Sequence, residues 1–223
     1  MYIELSYPFD PTAAVVDEGI QPPQVVARSR MADGKRNNTS YIKMFAHSGT
    51  HIDVPWHFNP QGKKINDFPI DAFAFERVLV VDIPKEAWGE LKKDDLRTHA
   101  QEIISSDALL IRTGFGEKYR STEPGLYLKA TPGLSLGAAR YLASIPSLRC
   151  IGVDFISIEN LEKNRPLNYP IHHVLLDGEK PMILLEDAKL DFPTDIQIKR
   201  LFLFPLRFEE LEASPVTAVA EIK

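Results

Sequence analysis

The segment 47–57, His-Ser-Gly-Thr-His-Ile-Asp-Val-Pro-Trp-His, constrains this chain more than any other stretch, because its three histidines and one aspartate all occupy odd-numbered positions. An extended strand would point these four side chains to one side, but it would hold positions four apart at a distance of about 13 Å. Two ligands of one metal ion must lie within about 4 Å of each other, since metal–ligand bonds are only about 2 Å long. The backbone must therefore bend between His47 and His51, and Gly49 gives it the freedom to do so.

A helix would also bring His47 and His51 onto one face, as in helical zinc motifs. Gly49, Pro55 and the β-branched residues between them disfavour a helix here. We therefore predict a bent loop that leads into a strand, with Pro55 stiffening the path to His57.

Most histidines of the chain fall into two short clusters that also contain carboxylates. The clustered histidines are His47, His51, His57, His172 and His173, and the remaining one is His99, which we interpret as a surface residue. Histidine and carboxylate side chains together suit Zn²⁺, Mn²⁺ or Fe²⁺. Structural zinc sites are usually rich in cysteine, and Cys150 is the only cysteine of the chain. An open, catalytic metal site is therefore the better prediction.

Composition excludes several classes of function. The formal net charge of the 223 residues is -5, so no excess of positive charge is present to hold the phosphates of a nucleic acid. No apolar run reaches the roughly 20 residues that span a bilayer, and residues 1–7 do not have the pattern of a signal peptide. With one cysteine, an internal disulfide is impossible. These features predict a cytoplasmic protein that acts on a small molecule rather than on a nucleic acid or a membrane.

Short apolar segments alternate with amphipathic segments, which predicts an α/β fold in one domain spanning residues 1–223. The predicted strands are 77–83, 108–112, 150–154, 181–186, 201–206 and 216–220. The predicted helices are 92–104 and 135–143, the second with Ser135 as its N-cap.

The pattern His-x-Gly-Thr-His-x-Asp-x-Pro-x-His at 47–57 resembles the signature of the cyclase family of metal-dependent hydrolases, which includes bacterial kynurenine formamidases and isatin hydrolases. All seven fixed positions match. Segments that resemble later landmarks of the family are 110–115, 132–135, 151–154, 172–176, 183–186 and 214–216. The resemblance implies a swivelling β/β/α domain with a mixed sheet or barrel-like core flanked by helices. It also implies a homodimer or homotetramer whose subunits complete each other's pockets.

The same resemblance implies the residues of the site. His47, His51 and Asp53 would bind one divalent metal. Asp53 would bridge to a second ion, which His172 and Glu186 would also bind. Zn²⁺ is the expected metal, Mn²⁺ is the alternative, and two ions per subunit are expected. His57 would be the catalytic acid and base.

Three features depart from the family pattern. The interval before Glu186 is about two residues longer than expected, so the choice between His172 and His173 as ligand stays open. Asp187 follows Glu186 where a small or amide residue is expected. Thr217 stands where an arginine often follows Ser-Pro-Val, which affects how a substrate would be anchored.

These features predict a hydrolase that cleaves a small amide, formamide or lactam with metal-activated water, in the manner of an arylformamidase. His57 would take a proton from water and deliver it to the leaving nitrogen. Candidates for an aromatic wall of the pocket are Phe45, Trp56, Phe58 and Phe68. Two alternatives stay open, namely a metal-dependent cyclase or dehydratase and a catalytically silent metal-binding scaffold. A silent scaffold would not need His57.

Overall fold

A computed structural model describes residues 1–9, 20–178 and 180–223. Its strands are β1 (Tyr2–Glu4), β2 (Gln24–Ser29), β3 (Thr39–Lys43), β4 (His51–Asp53), β5 (Ala74–Phe75), β6 (Val78–Asp82), β7 (Glu90–Leu91), β8 (Ala108–Arg112), β9 (Gly133–Leu134), β10 (Cys150–Val153), β11 (Ile183–Glu186), β12 (Ile198–Phe202), β13 (Ala213–Pro215) and β14 (Val219–Ile222). Its α-helices are α1 (Ala100–Ser105), α2 (Phe115–Tyr119), α3 (Pro124–Lys129), α4 (Leu136–Ala143), α5 (Leu161–Asn164) and α6 (Pro170–Leu176). Short 3-10 helices cover Met31–Asp33, Pro55–His57, Ile65–Asp67, Ile70–Phe73, Lys93–His99 and Arg165–Leu167.

A mixed sheet of six strands forms the centre of the fold, in the order β13-β4-β11-β10-β8-β6. The strands β6, β8, β10 and β11 run parallel to one another. The strand β4 is antiparallel to both β11 and β13. Parallel strands covered on both faces need apolar side chains at almost every position. That requirement explains why β8, β10 and β11 are visible in the sequence as short apolar runs.

Alternate residues of the central strands enter two different hydrophobic clusters, one on each face of the sheet. In β8, Leu109 and Ile111 pack with the helical layer, whereas Ala108 and Leu110 face the other side. On that other side lies an antiparallel sheet in the order β1-β14-β12-β5. The layers are therefore sheet, sheet and helices, which confirms the predicted β/β/α arrangement. Within the described residues the central sheet ends at β13 and β6, so it is an open sheet rather than a barrel.

Several predicted elements match the structure closely. The prediction 108–112 coincides with β8, and 77–83 contains β6. The helix α4 begins after Ser135, whose side chain accepts a hydrogen bond from the Ala138 backbone, as an N-cap does. On β10, a Cβ added to Gly152 would lie 2.5 Å from Leu110, so this strand can approach β8 and β11 only without a side chain at that position.

Three predicted elements are corrected. The single helix 92–104 is instead a 3-10 helix, Lys93–His99, followed by the short α1, and the buried apolar side chains of these two elements are Leu96 and Ile103. The strand 201–206 ends at Phe202 in the ladder of β12, and Pro205 makes only an isolated bridge to Val216. The run 216–220 is not one strand, because it joins two strands of different sheets. The strand β13 ends at Pro215 in the central sheet, and β14 begins at Val219 in the antiparallel sheet.

An antiparallel ribbon of β2 and β3, residues 24–43, forms a separate two-stranded sheet. No residue of either strand is buried, and Val25, Tyr41 and Ile42 are each more than 60% exposed. Among the residues that the structure describes, no helix has the length and apolar character needed to cross a membrane.

Candidate metal centre

The strands β4 and β11 carry three of the predicted site residues on the same face of the central sheet. Their antiparallel register sets Glu186 opposite His51 and Leu184 opposite Asp53. Because opposed residues of an antiparallel pair point to the same side, the side chains of His51, Asp53 and Glu186 share the face on which Leu184 packs against the helices. The odd-numbered positions His51 and Asp53 therefore share a face because residues two apart in the strand β4 point to the same side.

Two bends bring His47 and His57 back towards β4. Gly49 has a φ of +60°, a left-handed conformation that an L side chain adopts rarely, and it turns the chain between His47 and His51. After β4, Pro55 begins the 3-10 turn that ends at His57. The predicted bend at Gly49 is confirmed, and Pro55 leads to His57 through a tight turn.

His172 completes the cluster from the helical layer. It lies on α6 and is buried, and its Nε2 is 3.4 Å from Glu186 Oε1 and 3.8 Å from Asp53 Oδ2. His173 points elsewhere, since its Nδ1 lies 2.6 Å from Asp177 and its Nε2 lies 3.2 Å from the Asn168 amide. The structure thus places His172, not His173, with the other predicted ligands. His99 lies in the Lys93–His99 3-10 helix and approaches Glu102 instead.

The two oxygens of Asp53 face different partners. Oδ1 lies 2.9 Å from His47 Nδ1 and 3.4 Å from His51 Nε2, whereas Oδ2 faces His172 at 3.8 Å and His57 at 4.0 Å. Glu186 is divided in the same way, with Oε2 3.5 Å from His51 Nε2 and Oε1 towards His172. Asp53 is therefore placed to contribute to two neighbouring cations, whereas Glu186 Oε1 also accepts hydrogen bonds from the Ser157 hydroxyl and the Ile158 backbone N–H.

Three polar atoms at the centre of this cluster lack hydrogen bonds among the described residues. Within the described residues, both Asp53 oxygens and His51 Nε2 are buried without a hydrogen-bond partner of acceptable geometry, although His47 Nδ1 is close to Asp53. Buried polar atoms without partners are costly and rare in proteins. Nitrogen and carboxylate oxygen atoms that converge in this way fit a divalent cation. His51, Asp53 and Glu186 form one group that could hold an ion, and His47, Asp53 and His57 form another.

Each of the three histidines His47, His51 and His172 has its outer ring nitrogen next to an acceptor. His51 Nδ1 lies 2.8 Å from the Gly49 carbonyl, His172 Nδ1 is hydrogen-bonded to Glu159, and His47 Nε2 lies 3.4 Å from Glu212. An acceptor on one ring nitrogen leaves the lone pair on the other, which is how proteins orient histidine ligands of metals. In all three rings the free nitrogen faces Asp53 or Glu186.

Two of these acceptors, Glu159 and Glu212, were missed by sequence reasoning. Glu159 is fully buried and also accepts the backbone N–H of His172. It lies thirteen residues before His172, and no local pattern marks it. Glu212 belongs to a short acidic run after Arg207, which by itself is typical of a solvated surface.

The charges of the cluster shift several pKa values in the metal-free protein. Burial lowers the pKa of His47, but the Asp53 carboxylate outweighs burial and raises it to about 10. Burial likewise opposes protonation of His172, and its hydrogen bonds to Glu159 and Glu186 raise the pKa to about 10. Burial works against the Asp53 carboxylate, yet His47 and its neighbours hold the pKa of Asp53 well below its usual range. Without a cation, the site therefore keeps protons that balance part of its negative charge.

His57 differs from the other three histidines. Its side chain is 26% exposed, and among the described residues it makes no hydrogen bond from either ring nitrogen. Burial lowers the pKa of His57 to about 4, against the attraction of Asp53. Its ring packs against Phe58 and His47, with centroid distances of 4.4 and 4.2 Å. His57 therefore borders the cluster without a hydrogen bond to its ring from the described residues, 4.0 Å from Asp53 Oδ2.

Two of the four proposed aromatic wall residues lie at the site. Phe58 stacks on His172 with a centroid distance of 4.7 Å, and Phe45 packs against His47 at 5.1 Å while staying 40% exposed. Trp56 instead lies under the Lys64 ammonium group, and Phe68 is buried against Phe73. Of the four proposed residues, therefore, only Phe45 and Phe58 lie at the rim of the site.

Comparisons with known proteins agree with this picture. A family model described as "Putative cyclase" matches residues 3–160. A kynurenine formamidase of Geobacillus thermodenitrificans is 30% identical over 196 residues, which cover 86% of this chain and 83% of the relative. Isatin hydrolase A from Labrenzia aggregata has the same fold, with a TM-score of 0.81 at 22% identity over 99% of this chain and 93% of the other. A protein described as a potential metal-dependent hydrolase with cyclase activity aligns with a TM-score of 0.70 at 21% identity, over 99% of this chain and 96% of the other.

Proposed function

Because the chain belongs to the family described as "Putative cyclase", we propose that it is a metal-dependent hydrolase that cleaves the C–N bond of a small amide, formamide or lactam. The kynurenine formamidase relative supports an arylformamidase-like activity. One observation carries the proposal: three histidines turn their free ring nitrogens towards two buried carboxylates, and within the part of the chain that the structure describes the Asp53 oxygens make no hydrogen bond.

We propose five side chains as metal ligands: His47, His51, Asp53, His172 and Glu186. The division of the Asp53 and Glu186 oxygens supports two ions per subunit with Asp53 between them. Zn²⁺ is the proposed metal and Mn²⁺ the alternative, since both accept imidazole and carboxylate ligands. A divalent cation bound here would lower the pKa of water towards 7 and polarise a substrate carbonyl.

We propose that His57 transfers the proton between water and the leaving nitrogen. Its Nε2 is 4.0 Å from Asp53 Oδ2, so it would lie beside an ion held by Asp53, and no acceptor among the described residues makes a hydrogen bond to its ring. A neutral imidazole can accept a proton from water and donate it to the amine in the next step. Phe58, packed edge-on against His57 and stacked on His172, holds both rings in place.

The site mouth supports an aromatic or apolar substrate. Phe45 and Phe58 border the cluster, and aromatic rings offer flat apolar area for a planar acyl-amine. The Glu212 carboxylate, whose side chain is 30% exposed, lies beside His47. Its hydrogen bond with His47 lowers the pKa of Glu212, so a negative charge remains at the rim. We therefore propose that neutral substrates are preferred to anionic ones.

We also propose a homodimer or homotetramer, and the ribbon of residues 24–43 supports it. A two-stranded ribbon alone is only marginally stable in water, and this one exposes Val25, Tyr41 and Ile42. It holds five Lys and Arg side chains and one Asp, a formal charge of +4 in a chain of net charge -5. A second, acidic copy of the chain is therefore a suitable partner for the ribbon.

The remaining assignments concern the whole chain. The two hydrophobic clusters share the central sheet, which supports the proposal that residues 1–223 form one domain. The single cysteine, Cys150, is buried and free, which is typical of proteins in a reducing compartment and favours the cytoplasm.

A substrate panel tests the proposed function. Protein purified without chelators would be assayed with aryl formamides, simple amides and lactams, with formate and free amine measured as products. Release of formate or amine supports a hydrolase. Ring closure or dehydration without consumption of water would instead support a cyclase.

A further inference from the structure

Asp187, the residue that follows the candidate ligand Glu186, is held in an unusual way. Its φ is +52°, in the left-handed region that non-glycine residues seldom occupy, although Asp and Asn tolerate it best. Its side chain is buried and charged. A residue of this kind persists only where its surroundings determine its conformation.

Two side chains from the helical layer bind the Asp187 carboxylate. The Arg120 guanidinium, just after α2, donates two hydrogen bonds of 3.0 Å, one to each oxygen. The Tyr127 hydroxyl, on α3, donates to Oδ1. Burial, together with the nearby Asp187 charge, raises the pKa of Tyr127 well above its usual value, so the hydroxyl stays protonated and donates.

The same residue is connected to the strand that carries His51. The Thr50 hydroxyl donates to the Asp187 carbonyl at 2.6 Å and accepts the Tyr7 backbone N–H at 3.0 Å. The Arg120 guanidinium in turn lies over the Tyr7 ring, with its Cζ 3.9 Å from the centroid of that ring. These contacts link four of the residues in a closed ring, and Tyr127 is bound to that ring through Asp187. We name the five residues the Asp187 circuit: Tyr7, Thr50, Arg120, Tyr127 and Asp187.

We propose that the Asp187 circuit positions two candidate metal ligands, Glu186 and His51, at once. Asp187 fixes the end of β11 immediately after Glu186, and Thr50 fixes the start of β4 immediately before His51. Both ligands face each other across the β4–β11 pair, where His51 Nε2 lies 3.5 Å from Glu186 Oε2. A change in either backbone segment alters the distance between these two atoms.

The inference rests on the proposed role of Glu186 and His51 as ligands, and metal titration of the intact chain tests both. Asp187→Asn keeps the tolerance for the left-handed conformation but removes the charge that binds Arg120 bidentately. Asp187→Gly removes the whole carboxylate and relieves any backbone strain. We expect both variants to bind Zn²⁺ or Mn²⁺ about 10–100-fold more weakly, as is typical when groups that orient metal ligands are lost.

Milder variants guard against loss of folding. Thr50→Val removes both hydroxyl contacts and should weaken metal binding, whereas Thr50→Ser keeps them and should restore it. Tyr127→Phe removes one hydrogen bond and should cause a smaller loss. In each weakened variant, excess metal should restore kcat while KM stays near the wild-type value, a pattern that a purely structural role would not give.

A matched control is Asp82→Asn, which breaks the bidentate ion pair between Asp82 and Arg112 on the central sheet. It should lower the melting temperature without changing metal affinity. If Thr50→Val and Tyr127→Phe fold and bind metal as tightly as wild type, the circuit has no positioning role. If the wild-type chain itself binds no metal, the proposed function fails instead.

Discussion

Asp53→Asn is the substitution that should change the metal centre most with the least change in shape. The Asp53 side chain is buried, and its two oxygens face two different sets of histidine nitrogens. If the carboxylate lies between two cations, it belongs to both sites, and its charge offsets both. An amide of the same size cannot offset that charge, so both ions should be lost. Glu186→Gln should empty only the site shared with His172, because His47, His51 and Asp53 remain.

The size of the effect follows from linkage between binding and folding. A ligand present at 100 times its Kd stabilises the folded state by about 2.7 kcal/mol, so two ions give about 5 kcal/mol. In a domain of this length, 1 kcal/mol corresponds to about 2–4 °C in Tm. Chelation should therefore lower the wild-type Tm by about 10–20 °C, the Glu186→Gln Tm by about half as much, and the Asp53→Asn Tm hardly at all.

Thermal unfolding with and without chelator, together with metal analysis, measures these differences. Asp107→Asn is the control, since Asp107 is a buried carboxylate that accepts the backbone N–H groups of Glu76 and Arg77, outside the cluster. It should lower the Tm in both conditions and leave the gap between them unchanged. If chelator lowers the Tm of Asp53→Asn as much as that of wild type, the bridging role is refuted. If chelator lowers the Tm of Glu186→Gln as much as that of wild type, the centre holds one ion rather than two.

Four further outcomes are expected. His57→Ala should lower kcat by roughly 10²–10⁴-fold with its metal content kept; loss of the metals would make His57 a ligand. Glu159→Ala should weaken metal binding by about 10–100-fold, and Glu159→Gln, which can still accept from His172, should weaken it less; equal, wild-type affinities would contradict the role of Glu159. The pKa values of metal-free His47 and His172 are raised to about 10, so metal binding must displace protons from both rings. Metal affinity should therefore rise from pH 6 to pH 8, with proton release measured by calorimetry. A metal affinity that does not change with pH would contradict the role of these two histidines as ligands. Ile42→Asp should dissociate the oligomer in light scattering, whereas an unchanged mass would show that the ribbon is not the interface.

The sequence predicts the site best where its residues are close together in the chain. One segment contains the candidates His47, Gly49, His51, Asp53 and His57, which the structure brings together, because a bend and a strand alternation leave a local pattern. The strand β8 and the N-cap Ser135 were predicted for the same reason, since both depend on neighbouring residues.

Residues whose role depends on distant partners were harder to predict. Glu159 gains its role only because α6 brings His172 against it. The choice between His172 and His173 depends on the rotation of that helix over the sheet. Residues 216–220 were predicted as one strand from their sequence. In the structure Val216, Ala218 and Ala220 are all buried between the two sheets, but the chain passes there from one sheet to the other.

The most direct test of the central claim is hydrolysis by the same protein before and after removal of its metal. Protein stripped with a chelator and dialysed should keep its circular dichroism spectrum but release no formate or amine from a substrate that the untreated protein hydrolyses. Addition of Zn²⁺ or Mn²⁺ should restore the activity, with metal analysis approaching two ions per chain. Full activity in a sample shown to be free of metal would contradict the account.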